Sequence, residues 1–387
     1  MSRYYSYLRS AETILEQYRG AEPFAGWLKR YFIQHKKFGS GDRKQVSRLC
    51  YSYFRCGHLL ASGPAEERIL LGIFLCSHEP DPVLAEFKPE WDRAILLPVE
   101  EKIRMAGLTH AIPQVFPFGL PRSTGAEDQA FILSHLQQPE LFLRIRPGCE
   151  DKVTGILQKA LITYRQVSRT CLALPNSTKV DTVLEPDSMT VIQDLSSQRI
   201  AELLPFADIK KPLMVWDCCA GSGGKSLLIH DNYPDVLLTA TDRRDNILFN
   251  LLQRFRTAGI QNYKAFAADV SKPLLKSPGM FDLVIADVPC SGSGTWGRTP
   301  EQLVYFDQQK VAEYHALQLE IAVNAAKYIK RGGHLLYITC SVFRMENEEV
   351  VAEIVQRTGL QLQKSTLLAG YSEKADSLFA ALLQHPL

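Results

Sequence analysis

The chain has 387 residues and a mass of 43.6 kDa, too long for one small core and long enough for two or three domains. Hydrophobic residues make up 46% and charged residues 22%, which excludes wholesale disorder. The net charge of +2 points to no partner by itself, and no stretch approaches the roughly 20 uncharged apolar residues that span a bilayer.

The distribution of charge says more than its sum. Residues 1–60 carry 11 basic and 4 acidic side chains, whereas residues 61–110 carry 5 and 9. A basic segment of this kind suits a phosphate backbone, and equally a solvated helix face. The opening Met1-Ser2-Arg3-Tyr4-Tyr5 lacks the apolar run of a signal peptide. Nine cysteines with no Cys-x-x-Cys pair imply neither a zinc ribbon nor a disulfide framework. These features predict a cytoplasmic protein with free thiols that uses no metal and no membrane.

Residues from Ala11 to about Leu75 have a helical pattern. In the segment from Asp42 to Phe54, apolar residues fall at 46, 49, 50, 53 and 54, the spacing of an amphipathic helix, with Asp42 as the expected N-cap. Glu66 to Cys76 reads as a more buried helix. Pro113, Pro117, Gly119, Pro121 and Gly125 then interrupt every period, as a linker does. Glu140 to Pro147 alternates as a strand, Lys152 to Leu161 as a short helix and Thr170 to Leu174 as another strand, which makes a small α+β module. From about residue 188 short apolar strands at 213–216, 236–241, 281–286 and 334–338 alternate with helices at 246–257 and about 308–330. That order predicts a parallel doubly wound α/β sheet, whose ligands bind at the carboxyl ends of its strands. The expected domains are therefore 1–118, helical; 119–187, small α+β; and 188–387, α/β.

Unusual residues lie at those strand ends. Asp217-Cys218-Cys219-Ala220-Gly221-Ser222-Gly223-Gly224-Lys225-Ser226 follows the first strand. A P-loop requires glycine where Cys219 stands, and a nicotinamide fingerprint requires it where Ser226 stands. The remaining readings are an S-adenosylmethionine loop or a purely structural turn. Asp242 ends the second strand, 21 positions after Gly221, which suits a carboxylate on ribose hydroxyls. Asp269 follows the third strand, where it can accept from an adenine amino group, and Asp287 ends the fourth. Each alone reads more simply as a helix cap; four strand ends bearing Asp or Gly together do not.

Two cysteines occupy two further strand ends, Cys290 in Asp287-Val288-Pro289-Cys290-Ser291-Gly292 and Cys340 in Thr339-Cys340-Ser341. A lone cysteine is usually a small buried hydrophobe, which covers Cys50, Cys76 and Cys171. It covers Cys290 poorly, in a loop of Pro, Ser and Gly. Neighbouring strands lie about 4.8 Å apart, so both thiols can reach one cleft.

These motifs resemble the RsmB/Sun family of RNA cytosine-5 methyltransferases. The resemblance continues through Val191–Gln198, Arg298-Thr299-Pro300, Gln318, Lys330–Gly333 and Glu346-Asn347-Glu348, and covers about residues 190–387. The family loop usually reads Cys-Ala-Ala-Pro-Gly-Gly-Lys; here Gly221 and Ser222 stand in place of Ala-Pro. Residues 1–110 resemble, more weakly, the NusB-like RNA-binding domain found in that family, and 139–185 its small RRM-like module. The resemblance implies a Rossmann-like methyltransferase that moves a methyl group from S-adenosyl-L-methionine to carbon 5 of a cytosine in RNA, with 16S ribosomal RNA as the expected target and a monomeric enzyme. It implies Cys340 as nucleophile, Cys290 as the group assisting product release, Asp287 on the cytosine edge and Lys225 beside the base. Cys219, Ala220, Gly221, Ser222, Gly223, Gly224 and Lys225, with Asp242, Asp269 and Asp287, are expected to hold the cofactor. Two other readings remain open: a DNA cytosine-5 methyltransferase using Cys290, and a non-catalytic RNA-binding assembly factor.

Overall fold

Apolar residues three and four apart produce helices throughout the first third of the chain. The computed structural model describes residues 2–206, 212–274 and 277–387. It divides into two units, the first comprising Met1–Leu120, Glu127–Gln138 and, from much later in the chain, Thr295–Gln308. Its principal helices are Arg3–Gln17, Phe24–Gln34, Ser40–Arg55 and Ala65–Cys76, and no strand occurs among the described residues of this unit. The third helix buries Val46, Leu49, Cys50 and Phe54, as its periodicity requires. Asp42 does not cap it. Gly39 is the cap, and the Asp42 carboxylate, three residues inside, accepts from the Gly39 N–H at 3.1 Å. A side chain at that position is long enough to reach back to the orphan donor.

The core of this unit is aromatic. Tyr18, Phe24 and Phe54 meet edge to face with centroids 4.8–5.8 Å apart, and Tyr305 joins Tyr18 at 5.2 Å. Such pairs add to the apolar area that they bury. Phe24 N–H also donates to the Glu301 carboxylate at 3.1 Å, and burial pushes that acid above its ordinary range.

The second unit comprises Pro121–Ala126, Pro139–Gly294 and Gln309–Leu387 and contains two sheets. The smaller sheet is antiparallel, in the order β2-β3-β1-β4, from β1 (Leu141–Ile145), β2 (Arg165–Ser168), β3 (Cys171–Leu174) and β4 (Thr190–Ile192). The helix Glu150–Lys159 lays Val153 and Leu157 on it against Leu143, Ile145, Leu172 and Leu174.

The larger sheet contains β5 (Met214–Asp217), β6 (Leu237–Asp242), β7 (Tyr263–Ala267), β8 (Phe281–Asp287), β9 (Ile329–Thr339), β10 (Gln361–Ala369) and β11 (Ser377–Gln384). Their order is β10-β11-β9-β8-β5-β6-β7. The five strands β5 to β9 are mutually parallel, as expected from strand–helix alternation, and form a Rossmann-like core. The end of the chain departs from that pattern. β10 and β11 form an antiparallel hairpin whose second strand inserts beside β9, because only a short turn joins them and no crossover helix intervenes. Asp376-Ser377-Leu378-Phe379 thus opens a buried strand, with Phe379 only 1% exposed. Strand order reverses at β5, which has β6 on one side and β8 on the other. A crevice at the carboxyl ends there is the normal consequence.

Buried charge ties the small sheet to the larger one. Arg144 on β1 and Arg146 just beyond it both pair with Asp231 of the helix Gly224–Asn232, at 2.5 and 2.8 Å. Burial works against the Asp231 carboxylate, but the His230 ring 3.8 Å away and the hydrogen-bonded guanidinium groups of Arg146 and Arg144 hold it well below the usual range. Replacing Asp231 with alanine strands two guanidinium groups in a dry site, and the expected cost is about 3 kcal/mol in urea unfolding. A loss under about 1 kcal/mol would mean that water reaches the pair.

Candidate active site

The first parallel strand delivers its chain into a tight turn. Cys218 N–H reaches the Ile285 carbonyl at 2.9 Å and Ala220 N–H the Thr241 carbonyl at 2.8 Å, so the turn is pinned to both neighbouring strands. Gly221 and Gly223 adopt positive φ values of 52° and 85°. A Cβ at Gly223 would lie 2.9 Å from the Phe255 ring, whereas one at Gly221 would meet nothing within 4 Å. Gly223 therefore serves packing. Gly221 leaves open backbone on the outer side of the turn, where a ligand can approach closely. Arg254 replaces the stiffness of a proline at this point, donating to the Ser222 carbonyl at 2.9 Å and to its hydroxyl at 3.1 Å.

Carboxylates surround the turn. Asp217 is fully buried and takes a 2.7 Å hydrogen bond from Ser226 Oγ. Burial pushes it up to about 7, with the charges of Asp287 and Asp242 acting in the same direction. Asp242 accepts from the Gly221 N–H at 3.0 Å through Oδ2 and from the Arg244 backbone N–H and Nε through Oδ1, both at 3.0 Å. Burial opposes its charge, but the Arg244 bonds win and its pKa is lowered. Arg244 is thus the partner of a site carboxylate. Asp269 accepts from the Ser271 hydroxyl at 2.6 Å, which lowers its pKa. Lys225, one residue into the following helix, reaches across to Asp287 Oδ2 at 3.0 Å and to Ser197 Oγ at 2.9 Å. Burial disfavours its ammonium, yet Asp287, then the Cys340 sulfur and Asp217, keep its pKa above the ordinary lysine value.

The two cysteines meet. Cys290 Sγ and Cys340 Sγ are 3.6 Å apart, both partly exposed. The Cys340 sulfur, burial and the Glu346 charge together push the Cys290 thiol up. Both thiols line a cleft of about 330 Å³, together with Cys219, Asp242, Arg243, Asp269, Asp287 and apolar Val270, Leu317 and Ile321. That volume lies at the lower end of the range of about 300–1,000 Å³ typical of ligand pockets. Of the expected site residues, Cys219, Asp242, Asp269, Asp287, Cys290 and Cys340 share this one cleft. Lys225 joins them through Asp287. Ala220, Gly221, Ser222, Gly223 and Gly224 shape the turn without lining the cleft wall.

The residues fit a nucleoside carrying an amino-acid tail. Asp242 and Asp269 offer acceptors for hydroxyl and amino groups, the apolar side chains offer a bed for a base, and Gly221 offers uncovered backbone. Sequence reasoning assigned no role to Ser197, Gln318, Ser291, Ser341 or Glu346, all of which hold the site together. Their signal was membership of the motifs that carry the family resemblance, which gives no role to any one of them.

Asp217 yields a prediction. Its folded-state pKa is raised, so it stabilises the fold fully below about pH 4 and loses that contribution as the pH rises toward 7. Asp217→Asn does not titrate. The stability difference between wild type and this variant, from urea midpoints, should shift steadily against wild type between pH 4 and 7. A difference independent of pH would place the carboxylate in solvent.

Residues 207–378 match the family model described as 16S rRNA methyltransferase RsmB/F. A ribosomal RNA small subunit methyltransferase B from Xanthomonas campestris is 32% identical over 43% of this chain and 38% of its own length. A multisite-specific tRNA:(cytosine-C(5))-methyltransferase from Saccharomyces cerevisiae is 28% identical over 43% of this chain and 27% of its own. These alignments span well under two thirds of either relative. Among solved structures, PH0851 superposes with a TM-score of 0.69 at 19% identity over 99% of both chains. NSun6 from Pyrococcus horikoshii, crystallised with SFG, gives 0.55 at 16% identity over 64% of this chain and 90% of its own. Residues 207–378 thus combine this sheet order and this turn with a sequence match to the RsmB/F methyltransferase domain.

Proposed function

We propose that this protein methylates carbon 5 of a cytosine in RNA, with small-subunit (16S) ribosomal RNA as the target and Cys340 as nucleophile. The observation that carries the reading is the pair of thiols 3.6 Å apart in a cleft that also holds Asp242, Asp269 and Asp287. The names of the relatives support an RNA substrate, ribosomal in one case and transfer RNA in the other. Division of the chain at 118/119 and 187/188 belongs to the same proposal, with the basic helical part as an RNA-binding domain. So does action as a monomer in the cytoplasm.

Carbon 5 of cytosine is a weak nucleophile. A Cys340 thiolate adding to carbon 6 makes an enamine whose carbon 5 is reactive, while ring nitrogen 3, across the ring from carbon 6, takes up a proton. S-adenosylmethionine, when bound, supplies the methyl group from its sulfonium. Asp287 accepts from the cytosine edge and stabilises the protonated ring. Lys225 holds Asp287 in place and favours negative charge on the Cys340 sulfur. A solvent base takes the carbon 5 proton, the Cys340 thiolate leaves carbon 6 and ring nitrogen 3 gives up its proton, which restores aromaticity, and Cys290 assists that release. Cys219, Asp242 and Asp269 hold the cofactor, with the backbone of Ala220–Gly224 and Lys225 behind them. Bringing the base to this cleft requires unstacking it, at a cost of a few kcal/mol.

Charge supports Cys340 over Cys290 as nucleophile, because the Lys225 ammonium interacts with the Cys340 sulfur while the Glu346 charge is among the causes that push the Cys290 thiol up. Cys340→Ser should lower methyl transfer by at least about a thousandfold and form no RNA adduct on a denaturing gel. Cys290→Ser should accumulate one. Adduct lost in Cys290→Ser and kept in Cys340→Ser would support the DNA-type mechanism. A cofactor bound but never consumed by either protein or RNA would support a non-catalytic assembly factor. Bisulfite sequencing of RNA from cells lacking the protein identifies the nucleotide.

A further inference from the structure

Glu346 is fully buried, and no step above has its carboxylate touch the base or the cofactor. It accepts four hydrogen bonds. Oε1 takes the Ser291 backbone N–H at 2.8 Å and Gln318 Nε2 at 3.0 Å, and Oε2 takes the hydroxyls of Ser291 at 2.6 Å and Ser341 at 2.5 Å. Ser291 directly follows Cys290, and Ser341 directly follows Cys340. One carboxylate therefore grips both thiol-bearing turns. The same Gln318 amide also donates to the Pro289 carbonyl at 2.9 Å, on the other side of Cys290.

We propose that Glu346 is a positioning residue that ties the turn bearing Cys290 to the turn bearing Cys340, and so fixes the separation of the two thiols. Its purpose rests on the two-cysteine mechanism proposed above; its geometry does not. The two turns have further links, from Ser293 Oγ to Ser341 Oγ at 3.1 Å and from Gly294 N–H to the Cys340 carbonyl at 2.9 Å. Ser291 Oγ also meets Ser341 Oγ at 3.2 Å, and Ser293 bonds to both, yet those links join neutral hydroxyls, whereas Glu346 brings a carboxylate to the residue after each cysteine. A buried carboxylate is costly unless its lone pairs are filled, and here four donors fill them. Glutamine preserves all four links, because serine hydroxyls rotate to accept from an amide. Aspartate is a methylene too short to span both turns.

Dibromobimane measures the spacing directly. Each thiolate displaces one bromide, and the reagent fluoresces strongly only after both of its arms have reacted, so bridging requires two sulfurs within a few ångströms. The full chain is treated without RNA or cofactor, and the crosslinked peptide pair containing Cys290 and Cys340 is followed by mass spectrometry. Wild type and Glu346→Gln should bridge at similar rates. Glu346→Asp and Glu346→Ala should bridge about tenfold or more slowly, with thermal midpoint and S-adenosylhomocysteine affinity close to wild type. In methyl transfer, Glu346→Asp should lower kcat while leaving KM for the cofactor unchanged. Should Glu346→Ala unfold, Glu346→Asp and Ser341→Ala provide the same comparison. Bridging in the aspartate and Ser341→Ala variants as fast as in wild type overturns the proposal. If bridging depends on Glu346 while Cys340→Ser still forms the RNA adduct, the positioning role stands and the assignment of the nucleophile fails.

Discussion

Three adjacent parallel strands, β5, β8 and β9, end at the same edge of one sheet, and this sets the terms for everything at the site. Neighbouring strands are about 4.8 Å apart, so residues that leave these ends cannot avoid one another. Asp217, Asp287 and Cys340 are therefore within reach of the same few side chains although up to 123 positions separate them in the chain. Each charge at that edge needs a partner supplied from another loop. Lys225 answers Asp287, Ser226 answers Asp217, and a ring of donors answers Glu346.

The resulting field is uneven, and that unevenness has chemical content. Two thiols at 3.6 Å would titrate as a coupled pair if their surroundings were alike. They are not alike. The Lys225 ammonium interacts with the Cys340 sulfur, while the Cys340 sulfur, burial and the Glu346 charge push the Cys290 thiol up. The proposed covalent cycle needs one sulfur to attack while a second thiol remains available, and Cys290 and Cys340 are 3.6 Å apart.

Much of this was legible in the sequence. The strands at 213–216, 236–241 and 281–286 stood out because a parallel sheet is buried on both faces and reads as continuous apolar runs. Both cysteines and the carboxylates stood out because strand ends are where such sheets hold ligands. β10 did not, because Gln361-Leu362-Gln363-Lys364-Ser365 is largely exposed and carries no apolar run. β2 was missed for the same reason. The inclusion of 295–308 in the helical unit was illegible too, since it depends on Tyr305 and Glu301 finding Tyr18 and Phe24 nearly 300 positions earlier. Glu346 was visible as part of a motif, but its grip on two turns is a property of their meeting.

Asp242 shows how such a site stays both ordered and receptive. Its two oxygens are occupied by Arg244 and by the Gly221 N–H. The Arg244 side chain is 55% exposed, so this ion pair is worth at most about 1 kcal/mol. In the cofactor-holding role proposed for Asp242, a ligand with two hydroxyls takes over the lone pairs that the guanidinium releases to water, while the Arg244 backbone N–H stays on Oδ1. The Gly221 bond is of another kind, for it closes the turn itself and is not up for exchange. One carboxylate thereby separates two tasks that its residue type alone would leave merged. It fixes the loop through the backbone, and through a weak exposed partner it keeps its remaining valence pointed into the cleft and ready to be reassigned.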